Sequence, residues 1–161
     1  MIGVETDVSG EWDSRIDWPA LARSAVHAGV AASRFPGLTD SEISVLFTSD
    51  DEVRSLNLTW RGKDRATNVL SFPMAGAHEV ADAPMLGDIA LASGICTSEA
   101  AEKGLPIEAH AAHLVVHGTL HLLGYDHEGS EAAADEMEAV ERRALASIGV
   151  ADPYELSEVR S

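Results

Sequence analysis

Residues 113–127 read His-Leu-Val-Val-His-Gly-Thr-Leu-His-Leu-Leu-Gly-Tyr-Asp-His, the most distinctive stretch of the chain. Five of the seven histidines in the chain lie between residues 110 and 127. Residues four apart share one face of an α-helix, so His113, His117 and His121 form a ladder along that face. The apolar residues on a neighbouring face, which can pack into a core, are Val116, Leu120 and Leu123. The stretch predicts a helix with a histidine face and a buried face.

The same segment can supply three metal ligands. Zinc binds neutral imidazoles, and a catalytic zinc site uses three protein ligands and leaves the fourth position to water. Gly124 can take the left-handed conformation that ends a helix, which turns the chain back and brings His127 close to the histidine face. We predict His117, His121 and His127 as the ligands. Spacing alone leaves the pair His113 and His117 open, and ordinary core or surface histidines are the weaker alternative.

A zinc protease is a further alternative, because the spacing is similar to the H-E-x-x-H motif. Gly118 stands where such a protease carries its general base, a glutamate, so the usual route of peptide hydrolysis lacks its base. Asp126 and Glu128 flank His127 and are candidates for activating water or orienting a ligand. Either carboxylate can equally be a surface group, so the general base stays open.

Length and composition predict one cytoplasmic domain over residues 1–161. No apolar run approaches the roughly 18 residues of a membrane span. The acidic N-terminus lacks the basic segment of a signal peptide. The single cysteine, Cys96, excludes an internal disulfide and is interpreted as a small buried side chain. We therefore expect no membrane partner.

The charge is strongly negative, with 27 acidic against 11 basic residues and a formal net charge of −16. This balance argues against broad binding of nucleic acids, which depends on neutralising phosphates. Four of the basic residues, however, fall within twelve positions: Arg54, Arg61, Lys63 and Arg65. They predict either a local basic site on an acidic body or an ordinary solvated loop.

Hydrophobic periodicity predicts an α+β fold in which helices pack on a small mixed sheet. Strands are predicted over residues 1–8, 42–48, 69–72 and 86–92, and about five helices over 18–34, 49–57, 95–103, 106–123 and 130–149. Sequence signals for hairpin-type turns are absent between the predicted strands, and the histidine helix is expected at the centre. In the last helix we expect the carboxylates of Glu136, Glu138 and Glu141 to face water.

Residues 117–127 resemble the H-G-x-L-H-L-x-G-Y-D-H signature of the YbeY family, bacterial endoribonucleases that act as rRNA maturation factors. Residues 61–73 resemble its block R-x-K-D-x-x-T-[DN]-V-L-S-F-P, and residues 86–89 resemble its L-G-D-I strand. Residues 152–154, Asp-Pro-Tyr, are similar to a common C-terminal ending, so the resemblance covers nearly the whole chain. Asn68 stands where the family often has aspartate, which puts a carboxylate role there in doubt.

The resemblance implies one zinc ion per chain, bound by His117, His121 and His127, with Arg61 as the catalytic arginine. It implies cleavage of single-stranded RNA in maturation of the 3′ end of 16S rRNA and in ribosome quality control. The small ribosomal subunit and its proteins are the implied partners, and DNA is not. The phosphate would lie between the metal and Arg61, and attack by water or by the ribose 2′-hydroxyl both stay open.

A ribosome-assembly factor is the alternative from a different functional class. It would bind rRNA or a ribosomal protein, and zinc would only hold the fold. A closed structural site needs a fourth protein ligand, which His113 or Asp126 can supply.

Overall fold

The computed structural model describes residues 1–76, 78–126 and 129–153. Within these residues the chain forms four strands, five α-helices and one short 3₁₀ helix. The strands are β1 (Gly3–Val8), β2 (Glu42–Thr48), β3 (Val69–Pro73) and β4 (Met85–Ala92), and the 3₁₀ helix is Val80–Asp82. The helices are α1 (Trp18–Ala32), α2 (Asp50–Arg61), α3 (Ser93–Lys103), α4 (Ile107–Leu122) and α5 (Glu131–Ser147). The predicted α+β class is confirmed.

The sheet is mixed, as predicted, with strand order β1-β2-β4-β3. The β1–β2 and β2–β4 pairs are parallel, and β3 runs antiparallel to β4. Side chains alternate across β2: Ile43, Val45 and Phe47 join the main core with α1, α4 and α5, whereas Leu46 packs toward α2. Helices therefore cover both faces of the sheet, although the cover on the α2 face is thinner.

Helix α4 lies in the middle of the molecule. It contacts α1, α3 and α5 on its flanks and β3 and β4 beneath it. Ten of its residues are buried, and the row that remains partly exposed includes His113, His117 and His121. No helix among the described residues is both long and apolar enough to cross a bilayer.

Helix α2 is longer than predicted and ends at Arg61, a residue that the sequence had assigned to the following loop. Three acidic residues occupy its first turn and Arg61 its last turn, an arrangement that complements the helix dipole. Gly62 then takes the left-handed conformation (φ 68°) that terminates the helix. The longer helix therefore sets the backbone position of Arg61, which the sequence places in a loop.

Gly118 lies at the contact between α4 and the sheet. A Cβ atom at this position would lie 3.0 Å from Cγ2 of Ile89 and 3.1 Å from Oγ of Ser71. Both neighbours are buried and have little room to move. The side of α4 that carries position 118 therefore faces the sheet, which explains why a glutamate base of the protease type has no place there.

We predict that Gly118→Ala lowers the free energy of unfolding by about 1–2 kcal/mol, because overpacking outweighs a gain in helix propensity of about 1 kcal/mol. Urea denaturation measures this change. Gly10→Ala is the control, since no atom lies within 4 Å of a Cβ built there. Equal stability of the two variants would contradict the close approach of α4 to the sheet.

Cys96 is fully buried, as predicted. Burial, with a smaller contribution from the charge of Glu99, raises the pKa of its thiol to about 12. We predict that a thiol reagent at pH 8 modifies Cys96 at least about 100-fold more slowly in the folded protein than in denaturant, because the thiolate is the reactive form. Similar rates in both states would show that the thiol is accessible.

Candidate metal centre and basic cleft

Two of the three predicted ligands come together on α4. The Nε2 atoms of His117 and His121 lie 3.1 Å apart, and the ring centroids are separated by 4.6 Å. No group of three or more His, Cys, Asp or Glu side chains suited to a metal forms among the described residues. His127, the third predicted ligand, and Glu128 lie outside the described residues. The ligand assignment therefore stays a prediction, supported here by one pair.

The opposite ring nitrogens fix the tautomers of this pair. Nδ1 of His117 lies 2.6 Å from Oε1 of Glu141, and Nδ1 of His121 lies 3.1 Å from the backbone oxygen of Tyr125. An ionised carboxylate and a carbonyl can only accept hydrogen bonds, so both Nδ1 atoms must donate. In the neutral rings, both Nε2 atoms then carry a lone pair.

Two lone pairs facing each other at 3.1 Å repel unless a proton or a cation lies between them. Two nitrogens bound to tetrahedral zinc at about 2.0–2.1 Å are separated by about 3.3–3.4 Å, close to the spacing observed here. Donor chemistry, tautomers and spacing of His117 and His121 therefore fit a zinc ion.

The turn after α4 holds the carbonyl that binds His121. Gly124 has φ 96°, the positive value predicted for a helix-ending glycine. The backbone N–H of Tyr125 donates to the oxygen of Leu120 (3.0 Å), and its buried hydroxyl accepts from the backbone N–H of Arg34 (2.9 Å). The turn is thus anchored to the segment that follows α1 as well as to α4.

Glu141 on α5 is buried, which overturns the expectation that it faces water. The buried residues of α5 are Met137, Val140, Glu141, Ala144 and Leu145. Their spacing of three and four residues was the signal available in the sequence, and position 141 lies within it. Burial alone would favour a protonated Glu141, but hydrogen bonds from His113 and His117 prevail and lower its pKa to about 2.

His113 and His110 point to partners other than the His117–His121 pair. Nε2 of His113 lies 3.1 Å from the second oxygen of Glu141, and its ring centroid is 6.3 Å from that of His117. Nε2 of His110 lies 2.8 Å from Oε1 of Glu99. The geometry therefore favours His117 with His121 over the alternative pair of His113 with His117.

A cleft of about 480 Å³ opens at the histidine pair. Its lining includes His117, His121 and Asp126 together with the basic side chains of Arg61, Lys63 and Arg65. The structure thus places three of the four clustered basic residues in the same cleft as the predicted metal ligands. Of the two candidates for the general base, Asp126 lines this cleft, and Glu128 lies outside the described residues.

Arg54, the fourth of the clustered basic residues, binds a carboxylate and does not line the cleft. Its guanidinium binds both carboxylate oxygens of Asp64, at 2.6 and 3.1 Å. The amide of Asn57 donates to the backbone oxygen of Arg65 (2.9 Å). These contacts tie the loop after Gly62 to α2 and hold Lys63 and Arg65 at the cleft.

Arg61 is held at the cleft through the backbone of β3. Its Nη2 donates to the oxygen of Ser71 (2.9 Å), and its guanidinium carbon lies 5.7 Å from the centroid of the Phe72 ring. A guanidinium has five N–H donors, and this hydrogen bond uses one. Among the described residues no carboxylate neutralises Arg61, so its charge can act on an anion in the cleft.

Asn68, where a carboxylate role was in doubt, donates through Nδ2 to Oε1 of Glu99 (3.0 Å). An ionised aspartate at this position would place two carboxylates against each other. The amide instead links the start of β3 to α3, and through Glu99 to His110 on α4. Asn68, which lines the cleft, therefore connects β3 to α3 through this hydrogen bond.

Comparison with known proteins identifies close relatives. A family model described as Endoribonuclease YbeY matches residues 10–149. The chain is 52% identical over 160 residues to "Endoribonuclease YbeY" of Novosphingobium aromaticivorans, covering 94% of this chain and 95% of the relative. It is 51% identical over 159 residues to the protein of the same name from Erythrobacter litoralis, covering 95% of each. The solution structure of TM1509 from Thermotoga maritima matches with a TM-score of 0.57 and 26% identity, covering 95% of this chain and 98% of that one.

Proposed function

Because the chain belongs to the YbeY family of endoribonucleases, we propose that it cleaves single-stranded RNA with the help of one zinc ion per chain. We further propose that its substrate is the 3′ end of 16S rRNA, that it acts in the cytoplasm, and that it takes part in ribosome quality control. Family membership supports an RNA-cleaving hydrolase. The zinc ion, the rRNA and the ribosomal partners belong to the proposal.

One observation carries this proposal: the facing Nε2 atoms of His117 and His121 lie in the same cleft as three basic side chains. A metal at the histidines and cations around it form a site for a phosphodiester, whose oxygens are negative before and during cleavage. A peptide substrate would give the basic side chains no comparable role.

The residues that line the cleft have different roles in the proposed reaction. His117, His121 and the predicted His127 would hold the zinc ion, which when bound acts as a Lewis acid that activates water and offsets charge on the phosphate. Arg61 binds a non-bridging phosphate oxygen and stabilises the charge that develops there. Asp126 lines the cleft, where it can accept a proton from water or from the ribose 2′-hydroxyl.

The acidic body limits where RNA can bind. With a net charge of −16, most of the surface repels a polyanion, so binding depends on the basic wall formed by Arg61, Lys63 and Arg65. We propose that the small ribosomal subunit and its proteins bring the RNA to this wall. The alternative of an assembly factor with structural zinc now depends on Asp126 as the fourth ligand, because Nε2 of His113 binds Glu141 and the His113 ring lies 6.3 Å from that of His117.

We predict that His117→Ala lowers bound zinc from about one to less than about 0.1 per chain and abolishes cleavage, since a three-ligand site loses one ligand. Elemental analysis and a labelled single-stranded RNA measure the two effects. His78→Ala, an exposed histidine outside the cleft, is the control and should change neither. Full zinc content in folded His117→Ala would refute the ligand assignment.

We predict that Arg61→Glu keeps its zinc but cuts RNA about 100-fold or more slowly, because a group that stabilises the developing charge is replaced by a repelling one. Arg23→Glu makes the same charge change on an exposed position of α1 and should cleave normally. If Arg61→Glu cuts RNA as fast as the wild type, Arg61 is not the catalytic arginine.

A further inference from the structure

We propose that Glu141 on α5 is a positioning residue that holds His117 in the Nδ1–H tautomer and thereby directs the Nε2 lone pair of His117 to the metal. This inference rests on the zinc-dependent function proposed above. It assigns a role to a residue that neither belongs to the histidine signature nor lines the cleft.

The two oxygens of Glu141 each bind one imidazole. Oε1 lies 2.6 Å from Nδ1 of His117, and Oε2 lies 3.1 Å from Nε2 of His113. The side chain is only 1% exposed, so these contacts form in an environment where water competes weakly. Since the carboxylate can only accept, both imidazoles must turn an N–H toward it.

The other tautomer of His117 cannot bind metal in this geometry. A neutral imidazole has one N–H, and a proton on Nε2 would occupy the lone pair that faces His121. It would also turn the lone pair of Nδ1 toward a carboxylate oxygen 2.6 Å away, which is strongly repulsive. Glu141 therefore selects the form of His117 that is able to coordinate.

The two histidines differ in how their tautomers are set. His121 donates to the backbone oxygen of Tyr125, an acceptor that every residue type would provide at that position. His117 depends on a side chain from another helix. A carboxylate behind a ligand histidine orients the ring and raises its basicity, and loss of such a partner typically costs about 10–100-fold in metal affinity.

His113 helps to hold the Glu141 carboxylate in place through its second oxygen. By donating to Oε2, it prevents the carboxylate from rotating away from His117. An apolar residue at position 141 would simply continue the buried stripe of α5, which runs through Val140 and Ala144. The buried charge is thus not required for packing, and its contacts are with the histidine row.

Glu141→Leu and Glu141→Gln test the inference. Leucine removes both acceptors and continues the apolar stripe, whereas glutamine keeps the shape but offers one acceptor oxygen and one donor NH₂. Glu138→Gln, a half-buried position on the same helix, is the matched control. The imidazole tautomers are read by nitrogen-15 NMR on the metal-free full chain at pH 8, where a free imidazole is neutral. Zinc affinity is measured by chelator competition.

We expect the wild type and Glu138→Gln to show His117 in the Nδ1–H form. In Glu141→Leu this preference should be lost, and the zinc dissociation constant should rise about 10–100-fold while the protein stays folded. Glu141→Gln should fall between the wild type and the leucine variant. If the leucine variant does not fold, the glutamine variant alone provides the comparison.

An unchanged tautomer in folded Glu141→Leu, or a zinc affinity within about twofold of wild type in either folded variant, would overturn the inference. A loss of zinc from Glu141→Leu without a change of tautomer would do the same, because it would indicate a merely structural role. A wild type that binds no zinc and cuts no RNA would instead refute the proposed function. The tautomers of the metal-free variants would still decide whether Glu141 sets His117.

Discussion

Two hydrogen bonds, made by the Nδ1 atoms of His117 and His121, determine whether this histidine pair can bind a metal. Glu141 accepts from His117 and the carbonyl of Tyr125 accepts from His121, so both rings present a lone pair to the same point. The first acceptor comes from α5 and the second from the turn at Gly124. Correct packing of these two elements against α4 is therefore a condition for a metal site.

The close fit of α4 against the sheet is the second condition. The helix is buried on most sides, and Gly118 allows it to approach β3 and β4 so closely that side-chain atoms of Ile89 and Ser71 lie 3.0 and 3.1 Å from where a Cβ atom would be. Ser71 contributes to both sides of the cleft: its side chain contacts α4 near Gly118, and its backbone oxygen accepts from Arg61. Strand β3 therefore contacts both Arg61 and helix α4.

Much of the fold and part of the site followed from the sequence, because their signals are local. The histidine ladder, the turn at Gly124 and the buried Cys96 are each visible in residue spacing or type. The burial of Glu141 was missed because a charged side chain was assigned to the surface by its type, although its spacing placed it on the buried stripe. The order of the strands and the bracing of Asp64 by Arg54 depend on contacts between distant elements, which a local pattern does not encode.

A crystal structure of the zinc-loaded protein, with anomalous scattering measured at the zinc absorption edge, would show directly whether His117 and His121 bind the metal. We expect one zinc ion per chain, about 2.0–2.1 Å from Nε2 of His117 and of His121, with His127 as third ligand and solvent in the fourth position. Zinc bound away from His117 and His121 would contradict the metal centre. A protein side chain such as Asp126 in the fourth position would contradict a catalytic role for the zinc ion.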